Sequence, residues 1–70
     1  MPIIVMHLMQ GRTTEQKRRL VSAVTTAAAN ALDVNESTVR ILINELGQED
    51  FAVAGITVGQ KTETQSNNKS

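Results

Sequence analysis

The 70-residue chain has no cysteine, no tryptophan and no tyrosine, and only one phenylalanine, one proline and one histidine. Without cysteine there is no disulfide framework and no thiolate metal site. A lone histidine cannot by itself build a dedicated zinc site, so no zinc site is expected. Charge of either sign is also missing as an excess: seven Lys and Arg balance seven Asp and Glu. That balance removes the electrostatic signature of a chain that binds nucleic acid or an acidic membrane surface. No apolar stretch approaches the ~20 residues of a spanning helix, and no charged segment leads into a signal-like run. The expectation is a small, soluble, cytoplasmic protein.

What the chain does have is apolar residues, at 40% of the total. A domain of this length without disulfide or metal is marginal alone, and burial between copies would relieve that. Ile3 to Met9 reads IIVMHLM, a nearly unbroken apolar run that fits a strand covered on both faces. Gln10-Gly11-Arg12 breaks it. Thr13 to Gln16 (TTEQ) then has the form of a capping box and predicts a helix to about Leu32. Leu20, Val24, Ala27, Ala28 and Ala31 are expected on its apolar face. Asp33 to Glu36 reads as a loop, Val39 to Leu46 (VRILINEL) as a second strand, Gly47 to Asp50 as a turn, and Phe51 to Val58 around Gly55 as a short hairpin. Two strands joined by one helix make a right-handed β-α-β unit with parallel strands. The fold class is therefore α/β (α+β): one such unit plus a C-terminal hairpin, in a single domain over residues 1–59. Residues 60–70 (QKTETQSNNKS) hold no apolar side chain and read as a disordered tail. A two-stranded sheet with open edges and apolar residues on both faces cannot close its own core, so the chain is expected to oligomerise.

Four positions could carry chemistry. Pro2 is either a strand-starting residue or, once Met1 is excised, a secondary amine. An α-amine titrates at about 7.7–8.0 in peptides, and an apolar site with nearby cations lowers that value, so the neutral amine could abstract a proton beside a carbonyl. Arg12, after the first strand, is either a solvated loop cation or an anion ligand. Arg40 is either a snorkelling or ion-paired edge residue or an anion ligand, and is the more unusual, because an apolar strand usually excludes a charge that has no partner. Two arginines at one pocket would suit a substrate with carboxylates, through bidentate forks. Phe51 is either core filler or a pocket wall. His7 reads as a hydrogen-bonded structural residue, and Lys17-Arg18-Arg19 as a solvated helix face.

An N-terminal proline, a strand ending in Gly11-Arg12, the TTEQKRRL helix start, Val39-Arg40 opening the second strand and a following Phe51 together resemble the 4-oxalocrotonate tautomerase family. The likeness runs from Pro2 to about Gly55. It implies an enol–keto tautomerase that acts on a small unsaturated 2-hydroxy or 2-oxo dicarboxylate such as 2-hydroxymuconate, in aromatic hydrocarbon catabolism, without a cofactor. By resemblance Pro2 is the general base, Arg40 holds the 2-oxo and adjacent carboxylate end, and Arg12 holds the far carboxylate. Phe51 lines the hydrophobic side of the site, with Met9 as a further wall. The resemblance also implies a hexamer, a trimer of dimers with sites shared between copies, formed by this chain alone or with a second kind of chain. Related enzymes that add water to unsaturated acids carry a second arginine and a carboxylate where this chain has Met9 and Val53, which favours the tautomerase. A non-catalytic subunit of a mixed hexamer is the remaining alternative, and intact Pro2, Arg12 and Arg40 speak against it.

Overall fold

In a computed structural model, which describes the backbone of residues 1–69 and the side chains of residues 1–63, the IIVMHLM run forms strand β1 (Ile3–Met9). Helix α1 (Thr14–Leu32) follows, then a single 3₁₀ turn (Glu36–Thr38) and strand β2 (Arg40–Leu46). β1 and β2 pair in parallel along their whole lengths, from Ile3 opposite Arg40 to Met9 opposite Leu46. The β-α-β unit and the hairpin expected from the sequence are both present.

The ends of α1 are set by local hydrogen bonds. Thr13 Oγ1 accepts from the Gln16 amide at 3.0 Å, and Gln16 Oε1 accepts from the Thr13 amide at 2.9 Å, which closes the capping box. At the other end Asp33 turns left-handed (φ 56°), and the Val34 amide donates to the Ala29 carbonyl at 3.0 Å, satisfying a carbonyl that the helix leaves open. Leu20, Val21, Val24 and Ala28 are half-buried and Ala29 is buried, whereas Ala27 and Ala31 are exposed. The packed stripe is thus rotated by about one position from the expected one. The physical reason is that the alanines at 27, 28, 29 and 31 are equivalent in hydropathy, so the larger Leu20, Val21 and Val24 decide which side faces the sheet.

Gly47 to Asp50 forms the expected turn: the Asp50 amide donates to the Gly47 carbonyl at 3.0 Å and the Gly47 amide to Asp50 Oδ2 at 2.8 Å. The hairpin consists of β3 (Ala52–Val53) and β4 (Ile56–Thr57), antiparallel and joined by Ala54-Gly55. Both loop residues have positive φ, 55° and 80°, as a type I′ turn requires.

The expected disordered tail over 60–70 is corrected by helix α2 (Val58–Lys69); Ser70 lies outside the described residues. The cause is a second capping box. The Thr57 amide donates to Gln60 Oε1 at 2.9 Å, and the Gln60 amide to Thr57 Oγ1 at 3.1 Å. Thr57-Val58-Gly59-Gln60 repeats the threonine-to-glutamine spacing of TTEQ. The Gly59 amide also donates to the Gln48 carbonyl at 3.2 Å, and a Cβ at Gly59 would meet the Glu49 carboxylate. This start is therefore packed against the turn before the hairpin.

Only Ala29 is a buried apolar residue among the described residues. On β1 the residues Ile4, Met6 and Leu8 are half-buried, as are Ile41 and Ile43 on β2. The opposite face of the sheet is open: Ile3 is 63% exposed, Val5 56% and Leu42 55%. An apolar run reads as buried on both faces, and a single chain covers only one of them. Among the described residues no helix is long and apolar enough to cross a membrane.

Candidate active site

The two parallel strands begin side by side, and this brings Pro2 to Arg40. The Arg40 amide donates to the Pro2 carbonyl at 3.0 Å, one step before the Ile3–Arg40 pair. Pro2 is half-buried at the head of β1, and Met1 before it is exposed. With Met1 attached the Pro2 nitrogen is an amide without basicity; excision makes it a secondary amine. Strand alternation sends the Arg40 side chain to the open face, the side of Ile3, and Pro2 to the other.

Arg40 is exposed and has no carboxylate partner among the described residues, where the single ion pair is Lys17–Glu45 at 3.2 Å. The sequence left an ion-paired Arg40 open, and the structure answers with a different contact. Arg40 Nη1 donates to the Ser37 carbonyl at 2.6 Å. One carbonyl uses one of five guanidinium donors, so the rest of the fork remains free for an anion. Sequence reasoning missed this contact, because it depends on the 3₁₀ turn that precedes β2.

Arg12 stands at the other end of β1, exposed and likewise unpaired among the described residues. It borders a groove of about 210 Å³ with Leu8, Gln16 and Leu20. Met9 and Phe51 come together at this end too, lining a shallow hollow of about 270 Å³ with His7 and Leu46. The candidate residues therefore fall into two groups: Pro2 and Arg40 at the start of the sheet, Met9, Arg12 and Phe51 at its end. At ~3.3 Å per residue, the strand between them is roughly 20 Å long. A six-carbon diacid is less than half that length.

His7 lies on the open face opposite Asn44, whose Nδ2 is 3.3 Å from His7 Nδ1. With the asparagine donating, the imidazole keeps its proton on Nε2. The carboxylates near the hairpin are held locally: Asp50 binds the Gly47 amide and Glu49 rests over Gly59.

The profile of the family described as Tautomerase enzyme matches residues 2–61. Among curated proteins, the 2-hydroxymuconate tautomerase of Pseudomonas sp. (strain CF600) is 42% identical over 55 residues, covering 79% of this chain and 87% of that protein. The 2-hydroxymuconate tautomerase of Bacillus subtilis (strain 168) is 38% identical over 55 residues, covering 79% and 89%. Among solved structures, one from a characterisation of the 4-oxalocrotonate tautomerase isozymes of Methylibium petroleiphilum superposes with a TM-score of 0.86 at 54% identity, over 90% of this chain and 98% of its own. A chain of the heterohexameric 4-oxalocrotonate tautomerase of Chloroflexus aurantiacus superposes with a TM-score of 0.81 at 37% identity, over 86% and 97%. The parallel β-α-β unit, the hairpin, the profile match and these identities lead to one conclusion: the chain belongs to the Tautomerase enzyme family and is an isomerase.

Proposed function

We propose that the chain ketonises a small unsaturated 2-hydroxy dicarboxylate, with 2-hydroxymuconate as the representative substrate and the Pro2 amine as general base. The observation that carries this reading is Arg40: an exposed guanidinium at the head of an apolar strand, steadied by a backbone carbonyl and without a carboxylate. In a folded protein such a cation suits an anionic ligand.

The neutral amine of Pro2 takes the proton of the 2-hydroxyl. The double bonds shift as the 2-oxo group forms, and the proton is returned to a chain carbon. The net change is one proton moved from oxygen to carbon, with the amine regenerated. Arg40 binds the 2-oxo group and adjacent carboxylate and stabilises charge that develops on oxygen. Arg12 binds the far carboxylate, and Phe51 and Met9 wall the apolar middle of the substrate. The roughly 20 Å of strand between Arg40 and Arg12 supports a site that draws on more than one copy. The exposed Ile3, Val5 and Leu42 supply an apolar face for that assembly. We read the assembly as a hexamer, a trimer of dimers, of this chain alone or with a second chain as in the Chloroflexus relative. Such a substrate fits aromatic hydrocarbon catabolism in the cytoplasm. Hydration of unsaturated acids has less support: Met9 and Val53 cannot activate water, and Asp50 is engaged by the Gly47 amide.

The test is ketonisation of 2-hydroxymuconate followed by absorbance and proton NMR. Arg40→Ala is expected to lose ~10²–10³ in kcat, the usual cost of one contact to developing charge. Arg12→Ala is expected to raise KM for the diacid and to spare a 2-hydroxydienoate with one carboxylate. Equal losses by both variants on both substrates would overturn the assignment of ends.

A further inference from the structure

We propose that Asn35, supported by the Thr26–Glu36 hydrogen bond, is a positioning residue that holds the Arg40 guanidinium in its binding orientation. This rests on the reading of Arg40 given above.

An arginine at a strand end is long and flexible, and most of its rotamers would not present a fork to substrate. Here one end of the guanidinium is held, by the 2.6 Å bond from Arg40 Nη1 to the Ser37 carbonyl. The direction of that carbonyl depends on the 3₁₀ turn, which Asn35 organises. Asn35 Oδ1 accepts from the Ser37 amide at 3.0 Å. The Asn35 carbonyl accepts from Thr38 twice, from Oγ1 at 2.7 Å and from the amide at 3.0 Å. The Val39 amide then closes on the Glu36 carbonyl at 3.1 Å, leading the chain into β2. One side-chain bond ties the turn to the rest of the fold: Thr26 Oγ1, on α1, donates to Glu36 Oε2 at 3.0 Å. Helix, turn and guanidinium thus form one connected series. Asn35 and Thr26 act only through that series, and neither is bonded to Arg40 itself.

The consequence is catalytic rather than merely structural. A misplacement of about 1 Å in a group that meets developing charge can cost ~10²-fold in rate. Loss of the Asn35 side-chain acceptor loosens the start of the turn while the main-chain bonds of Thr38 and Val39 and the arginine remain, so a smaller loss of about tenfold in kcat/KM is expected.

The experiment measures kcat and KM for 2-hydroxymuconate in Asn35→Ala, Asn35→Asp and Thr26→Val, each alone and combined with Arg40→Ala. Asn35→Asp keeps an acceptor oxygen for the Ser37 amide and is expected to stay within about twofold of the parent. Asn35→Ala is expected to lose about tenfold and Thr26→Val a few-fold, mostly in kcat. In the Arg40→Ala background both losses should disappear, because residues that act through one partner cease to matter once it is gone. Circular dichroism checks folding, and if Asn35→Ala does not fold, Thr26→Val decides. Wild-type kinetics in Asn35→Ala and Thr26→Val, no rescue by Asn35→Asp, or losses undiminished without Arg40 would each overturn the proposal. Full activity of Arg40→Ala itself is a separate result, and it would refute the role of Arg40 rather than that of Asn35.

Discussion

If Arg12 and Arg40 reach one substrate from different copies, two crippled chains should repair each other. β1 runs from Ile3 to Met9, with Gln10 and Gly11 before Arg12, so the two arginines of one copy are separated by the length of the sheet, roughly 20 Å. Co-expression of an Arg40→Ala chain with an Arg12→Ala chain in equal amounts gives randomly mixed assemblies. A site that takes Arg40 from one copy and Arg12 from another is then intact in about one case in four. The expected turnover is about a quarter of wild type, against a background near ~1% of wild type or below for Arg40→Ala assayed alone. The assay is diacid ketonisation at a concentration well below the wild-type KM, where the raised KM of Arg12→Ala is read as lost rate, normalised to total chains. Separately purified variants, mixed without exchange, are the control and should show only the mean of the two. Co-expressed assemblies that also show only that mean would place both arginines in one copy and refute the shared site.

Ala54 holds a left-handed φ of 55° in the hairpin loop, a conformation that costs an alanine about 1–2 kcal/mol. Ala54→Asn would create the Asn-Gly pair that type I′ turns prefer and is expected to add about 0.5–1 kcal/mol, read as a raised urea midpoint at fixed protein concentration; an unchanged or lowered midpoint would contradict the turn assignment. Thr57→Val removes the hydroxyl that accepts the Gln60 amide, so α2 should fray and far-ultraviolet dichroism should lose helix signal, whereas an unaltered spectrum would show that the cap does not start this helix.

Much of this fold was legible because local signals agreed. Two apolar runs flanked a capping box, and β1, α1 and β2 lie within a residue or so of the expected ranges. The open apolar face was also legible, since both faces of IIVMHLM are apolar and one helix can cover only one of them. α2 was not, because its signal lies in the cap and not in an apolar pattern. The polar composition after Gly59 argued against structure, while Thr57 and Gln60 already repeated the spacing of Thr13 and Gln16. The helix face was off by one position because a run of alanines carries no rotational information. The proposed site residues Pro2, Arg12 and Arg40 were singled out by the family resemblance rather than by residue identity alone, and simple counting along β1 separates the two arginines. The hold on Arg40 was hidden: its partner is a main-chain carbonyl, and main-chain carbonyls exist at every position.

The central claim, that the Pro2 amine is the base, is tested most directly by an NMR titration of Pro2 nitrogen in the chain without Met1, set beside the pH dependence of kcat/KM. A base must be neutral to act, so the rate should rise with pH as the ammonium form disappears, and the midpoint of that rise should coincide with the titration of Pro2. The same chain with Met1 retained should be inactive, since its proline nitrogen is an amide. Full activity with Met1 in place, or a rate whose pH dependence ignores the titration of Pro2, would contradict the claim.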